Sequence, residues 1–376
     1  MTMTCSWTSG ASSLKSVEEA NCTTCHGPSA IGRNIQAEFQ KIYRHPTYNV
    51  TPSVHDAAES PTNPAHTLPE VSAGASRHAE CEDCHNPHAS YVEATTTVPP
   101  KASGKMAGVW GITRTNTVAL PTGTPPSVNE YEICFKCHAD SANMPQPVGQ
   151  PAPPYPRRKA LQFNKRLQFD LTAVSYHPIE QAAPSTASGF SLITPQAWAT
   201  RGLTMAKTSI IRCNDCHDND TGPNAPTPGT GPSGTHGSNF KQLLVARYDI
   251  DPAQIIASTS TYSLCYKCHD QTKVMSSGSW VEYQRHVVTA RASCSICHEP
   301  HGISAAQGTT TNNAHLINFD TRSATQRNSA TPLPLVAPLN GVLSYTRTGT
   351  NTGSCTLLCH DGDGAPFTHN NQRYPN

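Results

Sequence analysis

The sequence predicts a mostly coil protein with few short helices and little strand. Hydrophobic residues make up 36% of its 376 residues, below the roughly 45–50% (glycine included) of ordinary soluble domains. Proline (32) and glycine (24) are frequent, and both residue types interrupt helices and strands. No sustained 3.6-residue apolar stripe extends beyond short pieces such as 239–248, and few stretches alternate as strands do.

Charge and hydropathy exclude several functions. The net charge is +1 without a run of Lys or Arg, which argues against nucleic acid or an acidic membrane surface as partner. No window approaches 18 apolar residues, so no transmembrane segment is expected. The start, "MTMTCSWTSG", lacks the basic and apolar regions of a signal peptide, which predicts a processed chain or a missing true start.

Fourteen of the fifteen cysteines form seven pairs, and a histidine follows the second cysteine of each pair directly. Numbered as motifs 1 to 7, the pairs are Cys22/Cys25, Cys81/Cys84, Cys134/Cys137, Cys213/Cys216, Cys265/Cys268, Cys294/Cys297 and Cys355/Cys359. The histidines are His26, His85, His138, His217, His269, His298 and His360. Motif 7 has three intervening residues instead of two. Cys5 remains, and we expect it to be a buried or incidental thiol.

This spacing is the attachment signature of c-type haem, in which two thiols bind the vinyl groups and the adjacent histidine binds the iron. Structural zinc is a weaker interpretation, because seven three-ligand units do not combine into closed four-ligand sites. Disulfides would not explain a histidine after every pair. The sequence therefore predicts seven covalently attached haems per chain.

Seven porphyrins would also supply the apolar core that the composition lacks. The predicted fold is a multihaem cytochrome c whose coil wraps around a chain of seven haems, with each motif on a single helical turn. Segments 140–160 and 218–235 are expected to be Pro/Gly/Thr-rich loops. We expect one domain over 1–376, with a haem 1 region at 1–75 and haem pairs at 76–175, 176–285 and 286–376.

Eleven further histidines are available as sixth iron ligands, whereas none of the six methionines recurs near a motif. Bis-histidine ligation is therefore predicted. Motifs 2, 4 and 6 are each followed by a loop with another histidine, and a histidine beside an aromatic or basic residue stands between pairs. The candidates are His45, His78, His88, His177, His236, His286, His301 and His369. His55 is a reserve, and His66 and His315 are expected to be solvated or to support ligands.

Several stretches resemble the outer-surface, nanowire-forming multihaem cytochromes of metal-reducing bacteria. They are "RHAECEDCHNPHAS", "EYEICFKCHADS", "SYHPIE", "HGSNFKQLL", "SLCYKCHD" and "AHLINFD", within a likeness that runs from about residue 20 to the end. The resemblance implies bis-histidine haems in a close-packed chain, little regular secondary structure and extracellular electron transfer. The chain departs from its hexahaem members in having seven motifs.

An iron with two histidine ligands has no open position for a substrate, so electron transfer rather than catalysis is predicted. The alternative is a multihaem redox enzyme of the nitrite or hydroxylamine type. Such enzymes often replace one motif histidine with lysine, and all seven motifs here end in histidine. The expected partners are further copies in a head-to-tail homopolymer, other multihaem cytochromes and acceptors such as metal oxides.

Head-to-tail assembly is expected to involve shared iron ligands. Four histidines stand between motif 1 and motif 2, namely His45, His55, His66 and His78. This local surplus predicts that one of them serves a neighbouring subunit, and such a contact gives an open filament. The expected location is extracellular or on the outer cell surface.

Overall fold

The computed structural model describes residues 18–47, 68–69, 78–93, 97–142, 144, 158–183, 191–193, 196–198, 203–206, 208–248, 258–275, 283–289, 292–320, 344–349, 352–357 and 367–373. Within these ranges, regular elements are short and coil connects them, as the sequence predicts. None of the helices there combines the length and apolarity that crossing a membrane requires.

Helical turns begin at or before the first cysteine of motifs 1 to 6. They are α1 (Glu18–His26), α2 (Cys81–Cys84), α3 (Glu130–His138), α6 (Cys294–Cys297) and the 3-10 turns Cys213–Asp215 and Cys265–Lys267. The backbone N–H of His85, for example, donates to the carbonyl of Cys81 at 2.9 Å. One such turn brings residues i, i+3 and i+4 to the same side. Both thiols and the histidine can thus face one ligand.

The second cysteines of motifs 4 and 5 lie one residue beyond their 3-10 turns. Cys216 keeps a helical backbone, with φ −110° and ψ −40°. Cys268 has φ −123° and ψ −29°, which is outside the helical conformation. The prediction that the whole motif occupies a single helical turn is therefore wrong for Cys268.

Motif 7 begins on a strand instead. Cys355 lies on β10 (Thr352–Leu357), between β9 (Ser344–Gly349) and β11 (Phe367–Arg373) in an antiparallel sheet. The prediction of a helical turn at every motif is therefore wrong for Cys355. Threonine and tyrosine are frequent along β9 and β10, and β-branched and aromatic residues favour the pleated surface of a sheet.

The remaining strands form antiparallel pairs of two or three residues each. β1 (Tyr43–Arg44) pairs with β7 (Gly237–Ser238), and β4 (Ser175–Tyr176) pairs with β8 (Gly302–Ile303). β2 (Gly111–Ile112) pairs with β3 (Val118–Ala119), and β5 (Gln196–Trp198) with β6 (Leu203–Met205). The β1–β7 and β4–β8 ladders join segments far apart in the chain, and they position the site described below.

The other helices are α4 (Lys165–Phe169), α5 (Gln271–Met275), 3-10 turns at Glu38–Gln40, Gly104–Met106 and Lys241–Leu243, and a π-helical turn at Gln284–Thr289. The apolar stretch 239–248 forms only the turn at Lys241–Leu243. Gln242 and Leu243 have positive φ angles of 61° and 57°, which end the helical conformation there. Segment 218–235 is a loop of turns and bends, as predicted.

Apolar packing centres on α3. Its amino end has a reciprocal capping box, in which the backbone N–H of Asn129 donates to Glu132 Oε2 at 2.7 Å. The buried cluster around it contains Ile112, Tyr131, Phe135, Ala139, Phe169 and Ile179. The other clusters in the described ranges have three or four buried members each. Protein side chains thus supply several small cores.

Candidate cofactor-binding array

Four motif histidines face a second imidazole ring in the described part of the chain. The pairs are His85 with His236, His138 with His45, His217 with His301, and His269 with His177. The ring centroids of each pair lie 6.0 to 6.4 Å apart. In every pair, the second ring belongs to a histidine that the sequence predicts as a sixth ligand.

This spacing fits one metal ion between the two rings. An imidazole nitrogen binds a first-row metal at about 2.0–2.1 Å and lies about 1.2 Å from its ring centroid, so rings on opposite sides of one metal have centroids at most about 6.4–6.6 Å apart. Two axial imidazoles leave the plane between them for the four nitrogens of a porphyrin. In the described ranges, no group of three or more His, Cys, Asp or Glu side chains is arranged to hold a metal ion by itself.

Two strand ladders place the second imidazoles. His45 follows β1 and His236 precedes β7, so the two residues are neighbours at the end of one ladder. His177 follows β4 and His301 precedes β8 in the same way, and the backbone N–H of His177 donates to the carbonyl of His301. The β1–β7 ladder therefore serves motifs 3 and 2, and the β4–β8 ladder serves motifs 5 and 4.

Close backbone approach explains the glycine after two of these histidines. A Cβ atom on Gly237 would lie 1.9 Å from the carbonyl oxygen of Glu38. One on Gly302 would lie 1.9 Å from the carbonyl oxygen of Gln168. Both distances are far below van der Waals contact, so each ladder can lie against its neighbouring segment only with glycine at that position.

Hydrogen bonds from Nδ1 orient most of these rings. Nδ1–H donates to backbone carbonyls in His26 (Arg33, 3.3 Å), His45 (Thr235, 2.8 Å), His85 (Lys105, 2.9 Å), His217 (Gln242, 2.8 Å), His298 (His315, 3.1 Å) and His177 (Pro300). A carbonyl can only accept, so Nδ1 carries the proton and Nε2 keeps its lone pair. This arrangement is typical of histidines that bind a metal through Nε2.

Two rings have other Nδ1 partners. The hydroxyl of Ser191 lies 2.8 Å from Nδ1 of His269. His301 donates to Oε1 of Glu299 at 2.9 Å, and the Nε atom of Arg158 lies 3.3 Å from Oε2 of the same carboxylate. Burial opposes ionisation of Glu299, but the hydrogen bond from His301 and the charge of Arg158 outweigh it and lower the pKa of this carboxyl.

Burial keeps the imidazoles neutral at physiological pH. It lowers the pKa of His138 and His236 to about 3. It lowers the pKa of His217, His269 and His298 to about 4. Only neutral imidazole offers a lone pair to a metal, so these rings are in the ligand-competent form.

Motifs within a pair are joined by a lysine. Lys136 of motif 3 is 2% exposed, donates to the backbone carbonyl of Asp83 in motif 2 and lies 3.8 Å from its carboxylate. Lys267 of motif 5 donates to the carbonyl of Asp215 in motif 4 at 2.6 Å. All four residues directly precede the second cysteine of their motifs. The structure thus repeats one contact in two successive pairs.

Motifs of successive pairs are joined by their first cysteines. The nearby thiol of Cys213 raises the pKa of Cys134, and the nearby thiol of Cys294 raises the pKa of Cys265, so the first cysteines of these motifs lie close together. None of the thirteen cysteines that the structure describes forms a disulfide. α1 also contacts α2. Motifs 1 to 6 therefore contact one another in chain order.

The thiol of Cys25 differs in exposure from the other described cysteines. It is exposed at the end of α1, whereas the other twelve described cysteines are partly or fully buried. The chain reverses directly after it, and the backbone N–H of Gly32 donates to the carbonyl of Cys25 at 2.9 Å. This turn covers the backbone of Cys25 and leaves its side chain open.

A distant segment pairs with the backbone of motif 5 beside Cys268. The carbonyl of Cys268 accepts from the backbone N–H of Ile193 at 2.9 Å, and Leu192 forms an isolated β-bridge with His269. Leu244 and Val245 pair in the same way with His217 and Cys216, where the backbone stays helical, so this pairing does not explain the conformation of Cys268. The N–H of Cys268 nevertheless donates to the carbonyl of Cys265 at 3.1 Å, so the two cysteines of motif 5 remain on one turn of the chain.

Motif 6 has a phenol where motifs 2 to 5 have an imidazole. The Tyr283 hydroxyl lies 3.2 Å from Nε2 of His298, and the two ring centroids are 6.5 Å apart. Two ligand atoms on opposite sides of one metal would be about 4 Å apart. Tyr283 therefore covers the face of His298 at which a metal would bind.

Three predicted sixth ligands lie elsewhere. His78 is 1% exposed, and its Nε2 lies 3.6 Å from Oε1 of Glu80, so a carboxylate rather than a motif imidazole is beside it. His88 is exposed in the loop behind motif 2. His286 is partly buried on the π-helical turn.

The remaining predicted residues lie on β11, are exposed, or fall outside the described ranges. His369 lies on β11, in register with Cys355 on β10. His26 and His315 are exposed. Cys5, His55, His66, Cys359 and His360 lie outside the described residues.

The structure bears on one of the four histidines that were expected to form a surplus before motif 2. His45 faces His138 of its own chain, so it is not available to a neighbouring subunit. Sequence reasoning also missed the lysine contacts between motifs. The residue before the second cysteine is Asp in motifs 2 and 4 and Lys in motifs 3 and 5, and this alternation was a usable signal. No sequence signal indicated that Tyr283 would face His298.

Comparisons with protein-family models, with curated proteins and with solved structures find no match.

Proposed function

We propose that this chain is an extracellular multihaem cytochrome c that conducts electrons along seven covalently bound haems. The observation that carries the proposal is the repetition of one arrangement at motifs 2 to 5. There, a cysteine pair on a turn of the chain precedes a histidine that faces a second imidazole at metal-ligand spacing. The proposed location follows from the chemistry, because such thioether bonds are formed outside the cytoplasm.

The residues that would hold the haems are the seven cysteine pairs and their histidines. His45, His177, His236 and His301 would supply sixth ligands within the chain. Haem iron supplies reversible one-electron exchange when it is bound. The protein fixes ring orientation through the Nδ1 hydrogen bonds and excludes substrate by occupying both axial positions. This argues against an enzyme.

The order of contacts supports conduction. Motifs 1 to 6 touch in sequence, alternately through lysine and cysteine contacts from motif 2 onward. Groups attached at these positions would form a one-dimensional series. We expect a metal oxide suspension to reoxidise all haems of the dithionite-reduced protein. Reoxidation of a single haem, with the others left reduced, would contradict a connected series.

We further propose that the chain forms a head-to-tail filament in which His88 ligates an iron of the neighbouring copy. The loop behind motif 4 supplies His236 to motif 2, and the loop behind motif 6 supplies His301 to motif 4. The first motif of each pair thus receives its ligand from the following pair. The equivalent loop behind motif 2 carries His88, which is exposed and faces no motif imidazole in the described ranges.

The acceptor that we assign is His298 of motif 6, because no imidazole faces it in the described ranges, and Tyr283 would have to move away from Nε2 of His298 for iron to bind there. In the described ranges, the ring that faces His298 is a phenol rather than an imidazole. Near His88, Val92 is 91% exposed and Tyr91 is 39% exposed, so the loop offers apolar surface for a second copy.

Changing His88 to Ala tests the assembly. Assembled wild-type protein should bind almost no carbon monoxide, whereas H88A chains should remain unassembled and bind one equivalent each. H315A, at another exposed histidine, should assemble normally. Filaments of H88A that match wild type in electron micrographs would refute the assignment. Stoichiometric carbon monoxide binding by wild-type filaments would favour the enzyme interpretation.

A further inference from the structure

We propose that Glu299 makes the iron site of His217 and His301 the lowest-potential step of the array. The inference rests on the proposed function, since it concerns a ligand of a bound haem iron. Nδ1 of His301 donates to a carboxylate oxygen of Glu299 at 2.9 Å. The other axial rings with an Nδ1 partner in the described ranges bond to a carbonyl or hydroxyl.

A carboxylate is the stronger acceptor. It draws the Nδ1 proton toward itself and leaves more negative charge on the imidazole ring, which increases the basicity of Nε2. A more basic axial ligand stabilises the ferric form over the ferrous form. Hydrogen bonding of this kind around axial ligands is one of the ways in which proteins set haem potentials. The site of His301 is therefore expected to be reduced last.

The carboxylate is held rigidly for this role. The side chains of Glu299 and Arg158 are only 12% and 9% exposed, and their closest atoms lie 3.3 Å apart. Arg158 is itself fixed, because its guanidinium donates to the carbonyls of Ser295 at 2.7 Å and Asn318 at 2.8 Å. The guanidinium keeps the carboxylate ionised and leaves Oε1 directed at His301.

Positive charges near the imidazole oppose the effect of the Glu299 carboxylate on the potential. Arg158 contacts the carboxylate oxygen farther from the imidazole, so its charge reaches the ring from a greater distance than that of Oε1. The ammonium of Lys165 acts electrostatically on His217 and His301 without an intervening hydrogen bond. Removing Lys165 should therefore change the potential in the opposite direction to removing the carboxylate.

The chain offers a matched control. Asp270 directly follows the histidine of motif 5, just as Glu299 follows the histidine of motif 6. Its carboxylate accepts hydrogen bonds from the backbone N–H groups of Thr272 at 2.8 Å and Lys273 at 3.2 Å. It therefore caps α5 and bonds to no imidazole in the described ranges.

A redox titration followed by electron paramagnetic resonance tests the proposal on holoprotein. Parallel axial ring planes split the iron d orbitals more than crossed planes do, so the coplanar sites of His85/His236 and His217/His301 should give signals distinct from the others. E299Q should shift the lowest-potential component upward, into the range of the other components. D270N should leave the titration unchanged, and K165M should shift the lowest component further down.

An unchanged lowest component in low-spin E299Q with a full haem complement would overturn the proposal. If E299Q makes one haem high-spin, two other variants test the proposal. It requires that E299D behaves as wild type and that K165M shifts the lowest-potential component downward. Failure of either requirement refutes it. Purified wild-type protein without haem would instead refute the proposed function.

Discussion

His217 and His301 hold their imidazole rings within 3° of coplanar, with centroids 6.0 Å apart. A proximal ring from motif 4 thus meets a ring from the loop behind motif 6. In the same way, His85 of motif 2 faces His236 from the loop behind motif 4, and motif 3 lies between them in the sequence. We interpret both relationships in the same way: the first motif histidine of a pair faces an imidazole that the following pair supplies.

Replacing His301 with Ala should leave one iron per chain without a sixth ligand. The variant should bind one equivalent of carbon monoxide after reduction and show one high-spin component in its absorption spectrum. H315A is the control, because His315 contributes its backbone carbonyl rather than its ring to His298. Equal carbon monoxide binding by the two variants would mean that His301 is not a ligand.

Changing Gly302 to Ala should displace the β4–β8 ladder, because the new Cβ would lie 1.9 Å from a backbone oxygen. Steric overpacking of this kind costs about 1–3 kcal/mol of stability, and both His177 and His301 should move. Perturbed ligand-field signals are expected at motifs 4 and 5. G237A should perturb motifs 2 and 3 instead. Identical spectra for the two variants would refute separate ladders.

Changing Lys136 to Met should destabilise the contact between motifs 2 and 3. Removing one partner of a buried ion pair leaves the other charge uncompensated and costs about 3 kcal/mol. Lys267 donates to a carbonyl at a less buried position, so K267M should cost only about 1 kcal/mol. Denaturant unfolding followed by circular dichroism measures both. A K136M loss no larger than that of K267M would show that the Lys136 charge pairing is unimportant.

Stability should fall as the pH rises from about 5 to 8 through ionisation of Glu180. Burial, reinforced by Asp170, raises the pKa of this carboxyl to about 7, and neither carboxyl oxygen has a hydrogen-bond partner in the described ranges. The folded state then binds more protons than the unfolded state between the ordinary pKa and about 7, so stability decreases with pH in that window. E180Q should reduce the slope of the unfolding midpoint against pH. An unaltered slope would assign the dependence to other groups.

The coil-rich fold and most of the helical turns could be predicted because both depend on local sequence. Proline and glycine limit regular structure wherever they occur, and a Cys-x-x-Cys-His unit fits one turn. The strand at Cys355 was mispredicted because its partner strands lie elsewhere in the chain. The contact between His236 and His85 of motif 2 could not be predicted either, because it depends on a ladder between β1 and β7, which are far apart in sequence.

The candidate ligands could be predicted by residue type but not by assignment. His45 and His177 look alike in sequence, each next to an aromatic or basic residue and followed by proline. The two histidines also occupy equivalent positions in the structure, each directly after a strand of a two-stranded ladder. Glu299 could not be singled out, because Asp270 and Asp218 occupy the same position after a motif histidine.

The number of covalently bound haems tests the central claim most directly. Intact mass spectrometry of the purified chain, combined with a haem-to-protein ratio, should give seven haems and one free thiol per chain. Six haems with free Cys355 and Cys359 would show that motif 7, which begins on a strand, is not used. A mass equal to that of the bare polypeptide, with all fifteen thiols free or holding zinc, would contradict the account.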